Sequence, residues 1–161
     1  MWPGAEALQR AAMPIQERCG FLKPILGYDY LWLNVRVKGG AYGVMNSAGR
    51  SGEGYFVSYR DPNLKETDQV FEGVADYLEQ FDADERDMTK YVIGTISDMD
   101  TPLLPPYKGA KAVSAWYSGI TDEMLAEERR QVLAAQPEDI RALAKIIRAI
   151  FVYRESFLRC R

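Results

Sequence analysis

Histidine and cysteine, the usual ligands of zinc, are scarce in this sequence. Its 161 residues include no histidine, which excludes every zinc motif that uses an imidazole ligand. The two cysteines, Cys19 and Cys160, lie far apart and belong to no Cys-x-x-Cys pair. Asp98 and Asp100 stand close together, but a hard-ion site needs further oxygen ligands at fixed spacing and a glycine turn. We therefore expect these two aspartates to be loop or helix-cap residues, and we expect no metal site in this chain.

Basic runs and long apolar runs are also missing. The formal net charge is −3 and no cluster of basic residues appears, so a nucleic-acid partner is not expected. No segment reaches the ~20 continuous apolar residues that cross a bilayer, and the first residues lack the basic start and apolar core of a secretory signal. We predict an intracellular protein with no membrane span. In such a compartment two thiols are favoured over one disulfide.

The residues that are present suit one folded domain. Hydrophobic residues make up 47% and aromatic residues 12% of the chain, which is enough for a proper core at this length. No internal repeat or low-complexity segment interrupts it. We therefore expect a folded chain rather than a disordered one.

The stretch from Leu31 to Pro62 brings helix, turn and strand signals together. Aromatic and aliphatic residues at near-helical spacing precede Gly39-Gly40, and glycine ends helices because it adopts positive φ freely. Two extended segments separated by a polar, glycine-rich turn follow, and the second has the aromatic and β-branched content of a strand. The predicted ranges are 30–37 for the helix, 41–45 for the first strand, 46–54 for the turn and 55–59 for the second strand. The unit is a helix, a double-glycine turn and a β-hairpin.

This unit places Arg36 on the last helical turn and Tyr42 at the start of the first strand. Both side chains are long and carry hydrogen-bond donors, and the sharp reversal between them lets them converge on one acceptor. Taken alone, the simpler interpretation is a solvated cation at a helix end for Arg36 and an ordinary strand aromatic for Tyr42. Tyr30 and Trp32 are predicted to pack in the core.

Amphipathic patterns predict helices on both sides of the hairpin. A first helix over 21–26 ends at Gly27, and Phe151 to Tyr153 are predicted to begin a strand. The other predicted helices cover 64–81, 85–97, 107–119, 122–135 and 137–150. The fold class is therefore α+β: a small antiparallel sheet built on the central β-hairpin and covered on one face by several helices.

Three phrases carry a family resemblance. VRVKGGAYG before the hairpin, SYRDPN after it and KYVIGTISDMDTPLLPPYKG further along resemble the last domain of the presequence-protease branch of the insulinase/pitrilysin metallopeptidases. The resemblance covers 21–150, and it leaves 1–20 as an atypical N-terminal extension and 151–161 as an atypical tail. It implies that 1–161 is a single domain, incomplete with respect to the family's metallohydrolase-like fold.

The resemblance also implies roles for particular residues. In that family two similar halves close around a peptide, and the C-terminal half supplies an Arg and a Tyr that contact substrate near the scissile bond. Arg36 and Tyr42 match these by motif and spacing, with Gly39 and Gly40 as the turn that positions them. The family's zinc is held by an inverted His-x-x-Glu-His motif in the other half, and a chain without histidine cannot contain that motif. Zinc is thus expected in the complete enzyme and not in this chain.

Several functions stay open at this point. The first is the substrate-closing C-terminal part of a zinc-dependent metalloendopeptidase, inactive alone, with peptide and the catalytic half as partners. The second is a non-catalytic peptide-binding or assembly module of the same fold, and the third is a product without activity. A homodimer through exposed sheet edges is a further hypothesis, because missing flanking strands would leave edges unpaired. The resemblance implies the cytoplasm, with an organelle matrix as the alternative.

Overall fold

The structure, a computed structural model, describes residues 16–48 and 54–152. Expectations that fall on Cys160, on the turn residues 49–53 and on most of both termini therefore lie outside the described residues. The elements are a 3₁₀ turn (Gln16–Phe21), helix α1 (Leu22–Ile25), two π-helical segments (Leu26–Tyr30 and Trp32–Lys38), strands β1 (Gly43–Ala48) and β2 (Gly54–Tyr59), and helices α2 (Leu64–Glu72), α3 (Val74–Glu79), α4 (Glu85–Met99), α5 (Pro105–Tyr117), α6 (Asp122–Leu133), α7 (Pro137–Ala142) and α8 (Ala144–Val152).

The N-terminal helix does not stop at Gly27, and that prediction is wrong. Helical backbone continues from α1 through both π-helical segments to Lys38. Leu26 and Leu31, on either side of the glycine, are fully buried. Burying a leucine stabilises by about 1.5–3 kcal/mol, which exceeds the ~1 kcal/mol that a glycine costs inside a helix. Packing therefore overrides the local break signal.

The sheet is a two-stranded antiparallel hairpin in the described part of the chain. Gly43 pairs with Tyr59 and Ala48 with Gly54, so β1 ends three residues beyond its predicted end and β2 begins one residue before its predicted start. The physical reason lies at Asn46, whose side chain is buried and whose Nδ2 donates to the Leu22 carbonyl oxygen at 3.0 Å. A partner from a distant helix thus keeps a turn-forming residue in a strand.

The hairpin has an inner and an outer face. Side chains at alternate positions, among them Val44 and Phe56, pack against the core, as the period of two requires. The opposite face is exposed to solvent. Its large apolar residues are Met45, Tyr55, Val57 and Tyr59.

The helix predicted over 64–81 is two helices, α2 and α3, separated at Gly73. A Cβ at Gly73 would lie 2.6 Å from the hydroxyl oxygen of Tyr30, and that hydroxyl donates to the Val70 carbonyl oxygen at 3.0 Å. The last predicted helix is also divided, into α7 and α8. Helix α8 includes Phe151, whose ring stacks 5.6 Å from that of Phe56, so a strand starting there is wrong.

Helix ends follow the capping residues that the sequence shows. The Asp84 carboxylate accepts from the Asp87 N–H at 2.8 Å before α4, and the Thr121 hydroxyl oxygen accepts from the Met124 N–H at 3.3 Å before α6. Gly119 follows α5 with φ +67°, the left-handed conformation expected after a helix. The predicted starts of the helices over 85–97 and 122–135 are confirmed, whereas the helix predicted over 107–119 begins two residues earlier, at Pro105, and ends at Tyr117.

One core joins the helices to the inner face of the hairpin. Its fully buried large side chains include Phe21, Leu22, Ile25, Leu26, Leu31, Leu78, Ile140, Leu143 and Ile147. The fold is α+β, a small antiparallel sheet with helices against one face, as predicted. Within the described residues, no helix combines the length and apolar character needed to cross a membrane.

Candidate functional site

The double-glycine turn joins the last π-helical segment to β1. The Gly40 N–H donates to the Arg36 carbonyl oxygen at 3.0 Å, and Gly40 has φ +78°. Gly39 has an ordinary φ of −79°, yet a Cβ there would lie 2.5 Å from the Val35 carbonyl oxygen. The turn therefore needs Gly39 for space and Gly40 for backbone conformation, and both place Arg36 next to the start of the hairpin.

Arg36 is half-buried and held on two sides. Its Nε donates to the backbone carbonyl oxygen of Tyr42 at 2.9 Å, and its guanidinium carbon lies 4.1 Å from the centroid of the Trp32 ring. In the described part of the chain, its terminal NH₂ groups make no further hydrogen bond to protein. The structure thus brings the two predicted residues together through the guanidinium of one and the backbone of the other.

Tyr42 lies at the surface beside a second cation. Its side chain is 64% exposed, and its ring packs edge-on against that of Tyr59 at a centroid distance of 5.7 Å. The guanidinium of Arg60 lies 5.6 Å from the Tyr42 ring and 5.3 Å from the Tyr59 ring. Arg60 itself has φ +49°, a strained conformation for a residue with a Cβ. The phenol hydroxyl of Tyr42 makes no hydrogen bond to any described residue, so it is open to a ligand.

Trp32 differs from its predicted place in the core. Its side chain is 44% exposed, because it lies on the helix face that carries Arg36 and not on the face of the buried Leu31 and Val35. Tyr30 is half-buried and its ring stacks 4.6 Å from that of Tyr77, as a packing residue should. Trp32 therefore belongs to the surface around the candidate site.

The loop after β2 supports the turn from the other side. The Asn63 Nδ2 donates to the Gly39 carbonyl oxygen at 2.8 Å, and the Asn63 N–H donates to Asp61 Oδ1 at 2.9 Å. Burial alone would raise the pKa of the Asp61 carboxyl, but the nearby side chain of Thr67, the N–H of Asn63 and the side chain of Ser58 outweigh burial and lower the pKa. The Asp-Pro-Asn signal shows a turn in the sequence, whereas the contact with Gly39 appears only in the folded chain.

Asp98 and Asp100, the two aspartates close enough in sequence to suggest a metal site, form ion pairs with cationic side chains of the protein. Lys23 Nζ lies 2.7 Å from Asp98 Oδ2, and Arg129 binds both oxygens of Asp100 at 2.6 and 2.8 Å. The hydrogen bond from Arg129 lowers the pKa of Asp100. Within residues 16–48 and 54–152, no three His, Cys, Asp or Glu side chains gather as metal ligands would. These residues do not fit a zinc ion.

Burial shifts the pKa values of two further groups, Tyr91 and Cys19. Burial raises the pKa of the Tyr91 hydroxyl, and its hydrogen bond to the Asp29 carboxylate raises the pKa further. Burial raises the pKa of the Cys19 thiol to about 11. Neither group offers a nucleophile near neutral pH. At the double-glycine turn the side chains of Arg36 and Tyr42 can donate hydrogen bonds, and Arg36 can place a cation beside a carbonyl oxygen.

Comparison with known proteins identifies the family. The sequence matches the model of the family "PreP C-terminal domain" over residues 15–156. The chain belongs to this family, as the resemblance of the turn and hairpin phrases predicts.

Curated relatives give the same result. The chain is 50% identical to "Protein HypA" of Clostridium perfringens over 127 residues (79% of this chain and 13% of that protein). It is 39% identical to "Presequence protease 1, chloroplastic/mitochondrial" of Arabidopsis thaliana over 119 residues (73% and 11%) and 30% identical to "Presequence protease, mitochondrial" of Schizosaccharomyces pombe over 125 residues (77% and 12%). The chain thus spans only about an eighth of the length of these relatives.

Proposed function

We propose that this chain is the substrate-closing part of a zinc-dependent metalloendopeptidase of the presequence-protease type. Its relatives include presequence proteases, and the chain corresponds to their C-terminal domain. The observation that carries the proposal is the pairing of Arg36 with Tyr42 across the double-glycine turn. Zinc and the general base belong to another segment or chain.

The free donors of this pair suit a peptide. Arg36 uses Nε to hold the Tyr42 backbone, which leaves its terminal NH₂ groups to bind a peptide carbonyl in a fixed direction. The Tyr42 phenol is exposed and donates to the oxygen on which negative charge develops during hydrolysis. One such donor is worth ~10²–10³-fold in rate. Both roles are binding or hydrogen-bonding steps, and the chain's own residues perform no metal-dependent step.

The reaction needs a catalytic half as partner, and a peptide as substrate. The test combines the purified chain with Arabidopsis presequence protease 1 from which the matching segment is deleted, and follows a fluorogenic peptide. We expect no hydrolysis by the chain alone and hydrolysis by the mixture. Arg36→Ala and Tyr42→Phe should each lower kcat/KM about 10²-fold.

Lys38→Ala is the matched control for these variants. Lys38 lies on the same helical turn, but its Nζ bonds to Asn34 Oδ1 at 3.1 Å and is assigned no substrate contact. It should leave kcat/KM within about twofold of wild type, as exposed substitutions usually do. Hydrolysis by the chain alone that survives a chelator would contradict the proposal. A kcat/KM equal to that of wild type in the mixtures with Arg36→Ala and Tyr42→Phe would also contradict it.

A non-catalytic peptide-binding module is the second candidate. The observation in its favour is that Arg36 and Tyr42 can donate hydrogen bonds to a peptide without a metal ion. Peptide binding by the chain alone, combined with failure to restore hydrolysis in the mixture, would support this candidate. Both candidates involve an extended peptide whose backbone supplies affinity.

Dimerisation through the hairpin edges is also a proposal. Among the described residues the sheet has two strands, and unpaired edges favour pairing with another chain. A monomer in light scattering at high concentration would remove this proposal. For location we propose the cytoplasm, with an organelle matrix as the alternative that the names of the plant and yeast relatives favour.

A further inference from the structure

Helix α5 is 13 residues long and buries none of them. All of its side chains are exposed except Ala115, which is half-buried. By contrast α2 buries Thr67, α4 buries Met88 and α6 buries Val132. An isolated helix of this length is marginal in water, because most helix stability comes from packing. Helix α5 therefore lacks, within the described chain, the contacts that stabilise a helix.

The helix nevertheless has an apolar face. Gly109, Val113 and Trp116 follow the spacing i, i+4, i+7, with Tyr117 beside them, and the lysines of the helix occupy the opposite side. Val113 is 57%, Trp116 75% and Tyr117 78% exposed. We call Gly109, Val113, Trp116 and Tyr117 the α5 face. The rings of Trp116 and Tyr117 lie 4.9 Å apart, and an exposed apolar surface of this kind indicates an interaction site.

Gly109 gives a second, independent indication. It lies inside the helix, where glycine costs about 1 kcal/mol relative to alanine. A Cβ at this position would meet no atom within 4 Å. Nothing in the described chain therefore requires a glycine here, whereas a surface that approaches the helix backbone closely would require one.

A second copy of the chain does not suit the α5 face. A 13-residue helix is only ~20 Å long, and one side of it buries far less than the ~800 Å² per partner of a standard stable interface. Such a small face suits two bodies that other contacts also hold together. The relatives contain a large second part of this kind. The match covers 13% and 11% of the Clostridium and Arabidopsis proteins, so 87% and 89% of their length lies outside it.

We propose that the α5 face docks on an apolar surface of the remaining part of a presequence-protease-like polypeptide, the part that carries the catalytic half. This inference rests on the proposed function in one respect, that the catalytic half is a separate body. It assigns the docking surface to a helix that contains none of the residues proposed to bind peptide.

The test measures binding of the full chain to Arabidopsis presequence protease 1 without its matching segment, by calorimetry and light scattering. Val113→Asp and Trp116→Ser should each weaken binding about tenfold or more, as truncation of a buried anchor does. The matched control is Ile93→Asp on α4, since Ile93 is also a β-branched aliphatic residue, 62% exposed. It should change binding less than about twofold.

Each outcome decides between the alternatives. No binding, or equal binding by Val113→Asp, Trp116→Ser and wild type, overturns the inference. A dimer of the isolated chain that Val113→Asp dissociates also overturns it, because the occupant is then a second copy. Binding lost in these variants without hydrolysis by the wild-type mixture supports the docking surface and contradicts the proposed function. If binding and hydrolysis both persist in the variants, the proposed function is supported and the docking surface is contradicted.

Discussion

Replacing Gly39 by alanine is expected to destabilise the protein more than replacing Gly40, although only Gly40 has a left-handed backbone. At Gly39 the new Cβ would lie 2.5 Å from the Val35 carbonyl oxygen and 3.1 Å from that of Asn34. Both atoms belong to backbone that cannot rotate away. The end of the helix must therefore move, and with it the Arg36 side chain that binds the Tyr42 carbonyl.

At Gly40 the space is sufficient and only the conformation is costly. The nearest atom to a Cβ there is Pro62 Cγ at 3.6 Å, an ordinary contact. A left-handed conformation costs a residue with a Cβ roughly 1–2 kcal/mol. Overpacking costs about 1–3 kcal/mol, and a contact of 2.5 Å with backbone belongs at the upper end.

The two alanine substitutions also have one stabilising effect in common. Each alanine lowers the entropy of the unfolded chain and so stabilises by about 0.4–1 kcal/mol. This cancels in the comparison of Gly39→Ala with Gly40→Ala. We therefore expect Gly39→Ala to lower the free energy of unfolding by about 1 kcal/mol more, or 2–4 °C in Tm for a chain of this size.

Urea unfolding followed by circular dichroism measures these differences. Gly40→Asn serves as a control, because asparagine tolerates the left-handed region and should recover part of the loss at Gly40. Gly39→Asn should recover nothing, since any Cβ meets the same oxygen. The reasoning is refuted if Gly39→Ala is as stable as Gly40→Ala, or if asparagine restores stability at Gly39.

Three further predictions concern the core and the hairpin. Asn46→Ala should cost about 0.5–1.5 kcal/mol in urea unfolding, because it removes a buried hydrogen bond to the Leu22 carbonyl oxygen, while the exposed Ser47→Ala should be near neutral. Leu78→Ala should cost about 2–5 kcal/mol through lost burial and a cavity, with Leu133→Ala, 59% exposed, as control; equal losses would contradict the assigned core. The lowered pKa of Asp61 adds stability that is present above its ordinary pKa near 3.8 and is lost as the pH falls below it. Acid titration should therefore show the stability advantage of wild type over Asp61→Asn shrinking below that pH, and a constant difference would contradict this.

Local signals in the sequence determine much of this protein. The aromatic and β-branched content of β2 and the starts of α4 and α6 depend on neighbours in the chain, and the structure has these elements where predicted. The absence of histidine likewise settles, without coordinates, that no imidazole binds a metal in this chain. The proximity of Arg36 and Tyr42 across the turn could be predicted for the same reason, because the seven residues from Arg36 to Tyr42 are contiguous.

Tertiary contacts decided the rest. Gly27 stays helical because the leucines around it are buried, and β1 continues through Asn46 because a helix carbonyl accepts its amide. Gly73 divides a helix where the Tyr30 hydroxyl, distant in the sequence, approaches the backbone and donates to the Val70 carbonyl oxygen. These outcomes depend on which atoms meet across long separations, and propensity and periodicity report only on near neighbours. The sequence by itself determined the fold class and the turn, and packing determined where elements end and which apolar face, that of α5, was left uncovered.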